Sequence, residues 1–205
     1  MTIAVGIFEL FTYAIPGSFY LALFTYIAAR AQWIDMAAAT RTPTVLLVIG
    51  LVLVSYVLGY LAYPLGHFVN KVLPRRRGGE VTAAFLERNP AARKREYVEA
   101  DPFLLLAAIQ TNDTEVAADV TRLRASGLML RNCAPPFLIA AVVAVVELFT
   151  SRSPVFAVTC AVIFLIGFGA LVVQGRRLGR WAKLRTLEAA FWVPDIDEKF
   201  RDPQS

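Results

Sequence analysis

The sequence is poor in the residues that do chemistry. It holds one histidine, His67, and two cysteines, Cys133 and Cys160, and only 18% of its 205 residues are charged. A single histidine excludes a His-rich zinc or di-iron site within one chain. The cysteines match no CxxC metal or redox spacing, and in apolar segments cysteine serves as a small packing residue. No GxxxxGK and no GxGxxG element occurs, so the usual glycine-rich phosphate cradles are missing. A Ser-His-Asp mechanism would need a serine beside His67. Ser55 lies twelve residues earlier on the same predicted helix, more than three turns away. These absences predict a protein that is not an enzyme and needs no cofactor and no metal.

What the chain has in excess is apolar surface. Hydrophobic residues make up 57% of the sequence, and mean hydropathy is +0.55. A soluble domain of this size has no core large enough to hide that surplus. A membrane-spanning helix needs about 20 mainly apolar residues, and four stretches qualify: about Ile3 to Ala29, Val45 to Val69, Pro135 to Thr150 and Val155 to Gln174. The first reads as a span and not as a secretion leader. No Lys or Arg precedes it, and it far exceeds an h-region of roughly 7–15 residues.

Charge gives the spans a direction. Of the 21 Lys and Arg residues, eleven lie in 70–132 and seven after the fourth span, which leaves Arg30, Arg41 and Arg152 for the opposite side. Eighteen against three is a positive-inside bias that puts both termini in the cytoplasm, in the cytoplasmic (inner) membrane of a bacterial-type cell. The net charge of +5 then reports topology, and specific nucleic-acid binding is not expected. The expected fold is all-α, a polytopic four-transmembrane-helix bundle with a small helical cytoplasmic domain. Its parts are a hairpin over 1–69, a cytoplasmic segment over 70–133, a second hairpin over 134–175 and an amphipathic tail over 176–205.

The cytoplasmic segment reads as helices set off by caps. Asn89-Pro90 and Asp101-Pro102 each place a capping side chain before a proline, which suits the first helical position. Asn112 and Glu115 have the spacing of a capping box. Phe103, Leu104, Leu105 and Leu106 are too apolar for solvent and are expected to pack on a neighbour, the membrane or a partner. In the tail, Leu178, Trp181, Leu184, Leu187 and Phe191 recur at helical spacing. That stripe packs on the 80–131 helices or lies on anionic lipid.

Within the spans, a few residues stand out. Glu9 lies about two turns inside the first, and buried carboxylates at such depth face protein or water. It is read either as an acidic pore residue or as a partner of cytoplasmic water or a base. Pro16-Gly17-Ser18 interrupts the same helix and is the best hinge candidate. His67 sits near the cytoplasmic interface as a gating candidate or an interfacial side chain. Glu147 is expected to pair at the outer rim with Arg30 or Arg152. Ser55 and Gly59, Ala140 and Ala144, and Ala157 and Ala161 are small-xxx-small pairs suited to close helix approach.

The general plan is similar to that of small bacterial membrane effectors of antiphage and nucleotide-signalling systems. The likeness is one of architecture, with no shared motif. It implies an oligomeric pore or channel-like effector gated through cytoplasmic helices, built of several copies in a lipid bilayer. A soluble cytoplasmic protein or a small-molecule signal would act on it. The alternatives are a scaffold that recruits a soluble partner through Phe103–Leu106 and Trp181, and a small transporter protomer.

Overall fold

A computed structural model describes residues 2–34, 43–72, 79–150 and 153–200. Among the described residues the chain is all-helical, with four helices long and apolar enough to cross a membrane. In order, these are α1 (Thr2–Arg30), α2 (Thr44–Leu61), α3 (Tyr63–Val72), α4 (Gly79–Arg88), α5 (Pro102–Asn112), α6 (Thr114–Thr150), α7 (Pro154–Phe191) and α8 (Ile196–Phe200). Two 3₁₀ turns, Pro90–Lys94 and Glu96–Glu99, lie between α4 and α5.

The four candidate spans differ in construction. α2 carries no charge, and only Ser55 and Gly59 are buried along it. Its aliphatic residues point outward, a pattern that suits lipid and not water. The second span is shorter than its apolar run. It stops at Leu61, and α3 begins separately at Tyr63. Pro64 explains the break, since it donates no amide and its ring clashes with the carbonyl four residues back. The Ala62 amide closes α2 on the Leu58 carbonyl at 2.9 Å, and the Gly66 amide returns to Ala62 at 3.2 Å.

α1 behaves differently around its proline and continues through Pro16 without interruption. The Ser18 hydroxyl donates to the Ile15 carbonyl at 2.8 Å. That bond does not reach the Thr12 carbonyl, which is the one that Pro16 deprives of an amide.

α6 has 37 residues and α7 has 38. At 1.5 Å per residue each is roughly 55 Å long, against a hydrocarbon core of about 30 Å. Each is therefore longer than a bilayer's hydrocarbon core is thick. The chain divides accordingly into two compact units, Met1–Leu73 with Leu128–Gly175, and Pro74–Gly127 with Arg176–Ser205. The same two helices supply residues to both.

The second unit has its own core. Phe85, Tyr97, Leu105, Ile109, Ala117, Leu187, Ala190, Val193 and Ile196 are buried together. The end of α7 therefore packs on α4, α5 and the first turns of α6. Its caps depart from the sequence expectation in two places. Asp101 does cap α5, accepting from the Phe103 and Leu104 amides at 2.7 and 3.3 Å. Asn89 instead turns back and donates to the Phe85 carbonyl at 3.2 Å, ahead of a 3₁₀ turn and not an α-helix. The cap of α6 is Asp113 and not Asn112, and it accepts from the Glu115 and Val116 amides at 2.9 and 3.1 Å. Asn112 is the last residue of α5, so the Asn112–Glu115 capping box does not form.

Candidate functional site

In the first unit the polar and small residues fall into three groups. The first is the crossing of α1 and α2. A Cβ on Gly17 would overlap the Ser55 carbonyl, and one on Gly59 would overlap the Tyr13 carbonyl. The two backbones thus touch at the middle of the span, and only glycine permits it. Tyr13 packs beside the crossing on Tyr56 and Tyr60, with ring centroids 5.9 and 5.6 Å apart. Ser55 and Gly59 therefore lie in a helix contact with Pro16-Gly17. The hinge candidate Pro16-Gly17-Ser18 thus lies where α1 meets α2 backbone to backbone.

The second group is an ion pair. Arg30 Nε donates to Glu147 Oε1 at 2.9 Å, and Thr150 Oγ1 approaches the other carboxylate oxygen at 3.4 Å. Arg152, the alternative partner, lies outside the described residues. Of the small residues on these helices, Ala141 and Ala144 of α6 and Ala157 and Ala161 of α7 are buried. Ala140 is half-buried. Gly167 faces the Phe137 ring, which sits between Phe19 and Phe164 at 5.2 and 5.8 Å.

The third group was not singled out from sequence. Asn132 is completely buried, and neither its amide nitrogen nor its oxygen has a hydrogen-bond partner among the described residues. The Nε and one terminal nitrogen of Arg131 are also buried and unpartnered. Both side chains meet α3: Asn132 lies against Gly66, and the Arg131 guanidinium sits 5.2 Å from the centre of the Tyr63 ring. Tyr63 and Gly66 are three apart and share a face of α3. Buried polar groups are nearly always bonded, and a guanidinium and an amide left open call for water, an ion or a partner. The available clue was Arg-Asn immediately before the apolar run that starts at Cys133. Sequence analysis used these residues only for charge and helix ends. His67, next to Gly66, is exposed. Glu9 lies on α1, with its side chain outside the described residues.

In the second unit the Phe103–Leu106 stripe splits. Leu105 is buried and Leu106 partly so, while Phe103 is 75% and Leu104 58% exposed. The Arg124 guanidinium lies 5.3 Å from the Phe103 ring centre and donates to the Pro102 carbonyl at 3.2 Å. Trp181 is half-exposed beneath Arg177, 4.5 Å from its ring centre. Arg95 binds Asp197 at 2.7 Å, which raises the arginine's already high pKa and ties the 3₁₀ segment to α8. Between them Tyr97 is fully buried, its hydroxyl has no partner among the described residues, and burial pushes its pKa up to about 12.

Among the described residues no three His, Cys, Asp or Glu side chains are placed to hold a metal. Comparison of the chain with protein-family models, with curated proteins and with solved structures found no match. The functional reading therefore rests on these geometries.

Proposed function

We propose that the chain is one protomer of an oligomeric membrane pore or channel-like effector, gated through its second unit. The observation that supports this reading lies on α6. Arg131 and Asn132 turn polar atoms without a hydrogen-bond partner among the described residues into the protein at the start of an apolar span. Polar groups in such positions mark water-filled or ion-conducting paths when several copies assemble. The same unbroken helix begins in the core of the second unit, where Ala117 is buried. In this reading α6, which supplies residues to both units, carries the signal toward Arg131 and Asn132. Pro16-Gly17 remains the hinge candidate of this reading, with Gly17 packed on Ser55 in the state described.

The positive-inside count supports a cytoplasmic second unit, on the side from which a soluble signal would come. The test is ion flux through purified protein in liposomes. Flux above protein-free vesicles, altered by Asn132→Leu and Arg131→Gln, is the expected result. Folded protein that gives no flux at any applied voltage would overturn the reading.

One observation favours a scaffold as the second reading, namely the exposure of Phe103 and Leu104. In that case Phe103→Ala with Leu104→Ala would abolish co-purification of a soluble partner, and no flux would be seen in any variant.

A further inference from the structure

The second unit contains a half-open cavity of about 520 Å³, within the range of roughly 300–1,000 Å³ common to small-molecule sites. It adjoins the core through which the conduction reading above has a signal act, and it deepens that reading by giving the signal a chemistry. Its floor is core: Phe85 and Ile109 are 1% exposed, and Val193 is also buried. Its wall is aromatic. Phe191 and Trp192 stand edge to face, with centroids 5.4 Å apart and planes at 89°. Trp192 is 79% exposed although it adjoins that core. The fold thus holds a large indole beside a ready cavity and leaves it uncovered.

The electrostatics of the cavity have a sign. The last turns of α4, α5 and α7 all contribute to its lining. Each helix end of this kind carries about half an elementary negative charge. α6 brings its positive end to the same place, and the Asp113 carboxylate that caps it offsets that end. The remaining charged groups of the lining, Arg185 and Glu188, lie 3.6 Å apart and compensate each other. Asn89 has its amide nitrogen engaged by the Phe85 carbonyl, so its oxygen is the group left to accept. Summed over the lining, two carboxylates and three negative helix ends exceed one guanidinium and the positive end of α6, and the aromatic wall already draws one cation, since the Arg95 guanidinium lies 6.0 Å from the Phe191 ring centre and leaves Trp192 as the open face. The electron-rich faces of Trp and Phe attract organic cations for the same reason.

We propose that this cavity is a binding site for a small organic cation, an amine or quaternary ammonium compound, with Trp192 and Phe191 as its aromatic wall and Glu188 as its charge partner. An anion is disfavoured by the helix ends. A neutral apolar ligand would leave the negative field unused.

Binding is read apart from ion flux, so the two readings fail separately. The full chain is placed in nanodiscs of zwitterionic lipid, with Trp33→Phe and Trp181→Phe so that Trp192 is the reporter among the tryptophans. The probes are choline and its neutral isostere 3,3-dimethyl-1-butanol. Choline should shift Trp192 emission saturably, and the isostere should bind about 5- to 30-fold more weakly, the worth of a cation–π contact. Glu188→Gln should weaken choline binding. Arg185→Gln should tighten it, because Glu188 loses its competing partner. Two variants acting in opposite directions separate this effect from a general loss of fold. The proposal is overturned by equal binding of the two probes, by no saturable response to choline up to about 10 mM, or by saturation with adenosine monophosphate in place of choline.

Discussion

Replacing Gly59 with alanine tests the backbone contact between α1 and α2. The added methyl would overlap the Tyr13 carbonyl, a backbone atom that cannot swing aside. The helices would then have to separate by about 1 Å, and a gap of that size forfeits a quarter to a half of each dispersion contact across it. Overpacking of this kind costs about 1–3 kcal/mol. Loosening Tyr13 from Tyr56 and Tyr60 forfeits part of two aromatic pairs, each worth about 0.5–1.5 kcal/mol. The expected loss is about 2–4 kcal/mol.

Gly50 supplies the control, since it sits on the same helix and a Cβ there meets nothing within 4 Å. Gly50→Ala should be neutral, or stabilising by up to about 1 kcal/mol through helix propensity. Unfolding of each variant by denaturing detergent, followed by circular dichroism, reads the difference. Equal stability of Gly59→Ala and Gly50→Ala would refute the backbone contact, because the two substitutions differ only in what the methyl meets.

Leu105→Ala should cost about 2–5 kcal/mol and the adjacent Leu104→Ala less than about 1 kcal/mol, as measured by thermal unfolding of the full chain. Tyr97→Phe should be neutral or slightly stabilising, because it removes a buried hydroxyl without a partner among the described residues. The Tyr97 proton is held more tightly in the folded state, with a pKa raised from 10.0 to about 12. Its contribution is therefore complete below about pH 10 and declines as pH rises toward 12. Tyr97→Phe should remove that alkaline loss in a pH series of melting temperatures. Arg30→Glu and Glu147→Arg should each lower the melting temperature slightly, and the double exchange should restore part of the loss. A double-mutant cycle with no coupling would show that the pair contributes nothing.

The helical spans were legible because length and apolarity alone define them, and a run of 18 apolar residues needs no tertiary information. The pairing of Arg30 with Glu147 was legible for a related reason, since few charges exist at that end of the spans. The break at Ala62 was harder to see because apolarity continues past Pro64 and masks the lost amide. The cap of α6 was displaced by one residue because Asn112 and Asp113 are both good capping groups, and only the end of α5 decides between them. The four residues from Phe103 to Leu106 could not all face one way, since each step turns about 100° around the helix. Asn132 stayed hidden because its burial depends on Gly66, 66 positions away. The pairing of α1 with α2 through Gly17 and Gly59 needed both backbones at once.

The ion pair of Arg30 with Glu147 also sets an order of assembly. The two residues are 117 positions apart, so a ribosome adding about 5–20 residues per second makes the acid roughly 6–23 s after the base. During that interval Arg30 has no acidic partner on α6. The contact between α1 and α2 needs only the first 61 residues, and it can form while the rest of the chain is still being synthesised. The first hairpin is thus held by backbone proximity before any charge can help it, and Arg30 serves as a latch that closes only when α6 arrives.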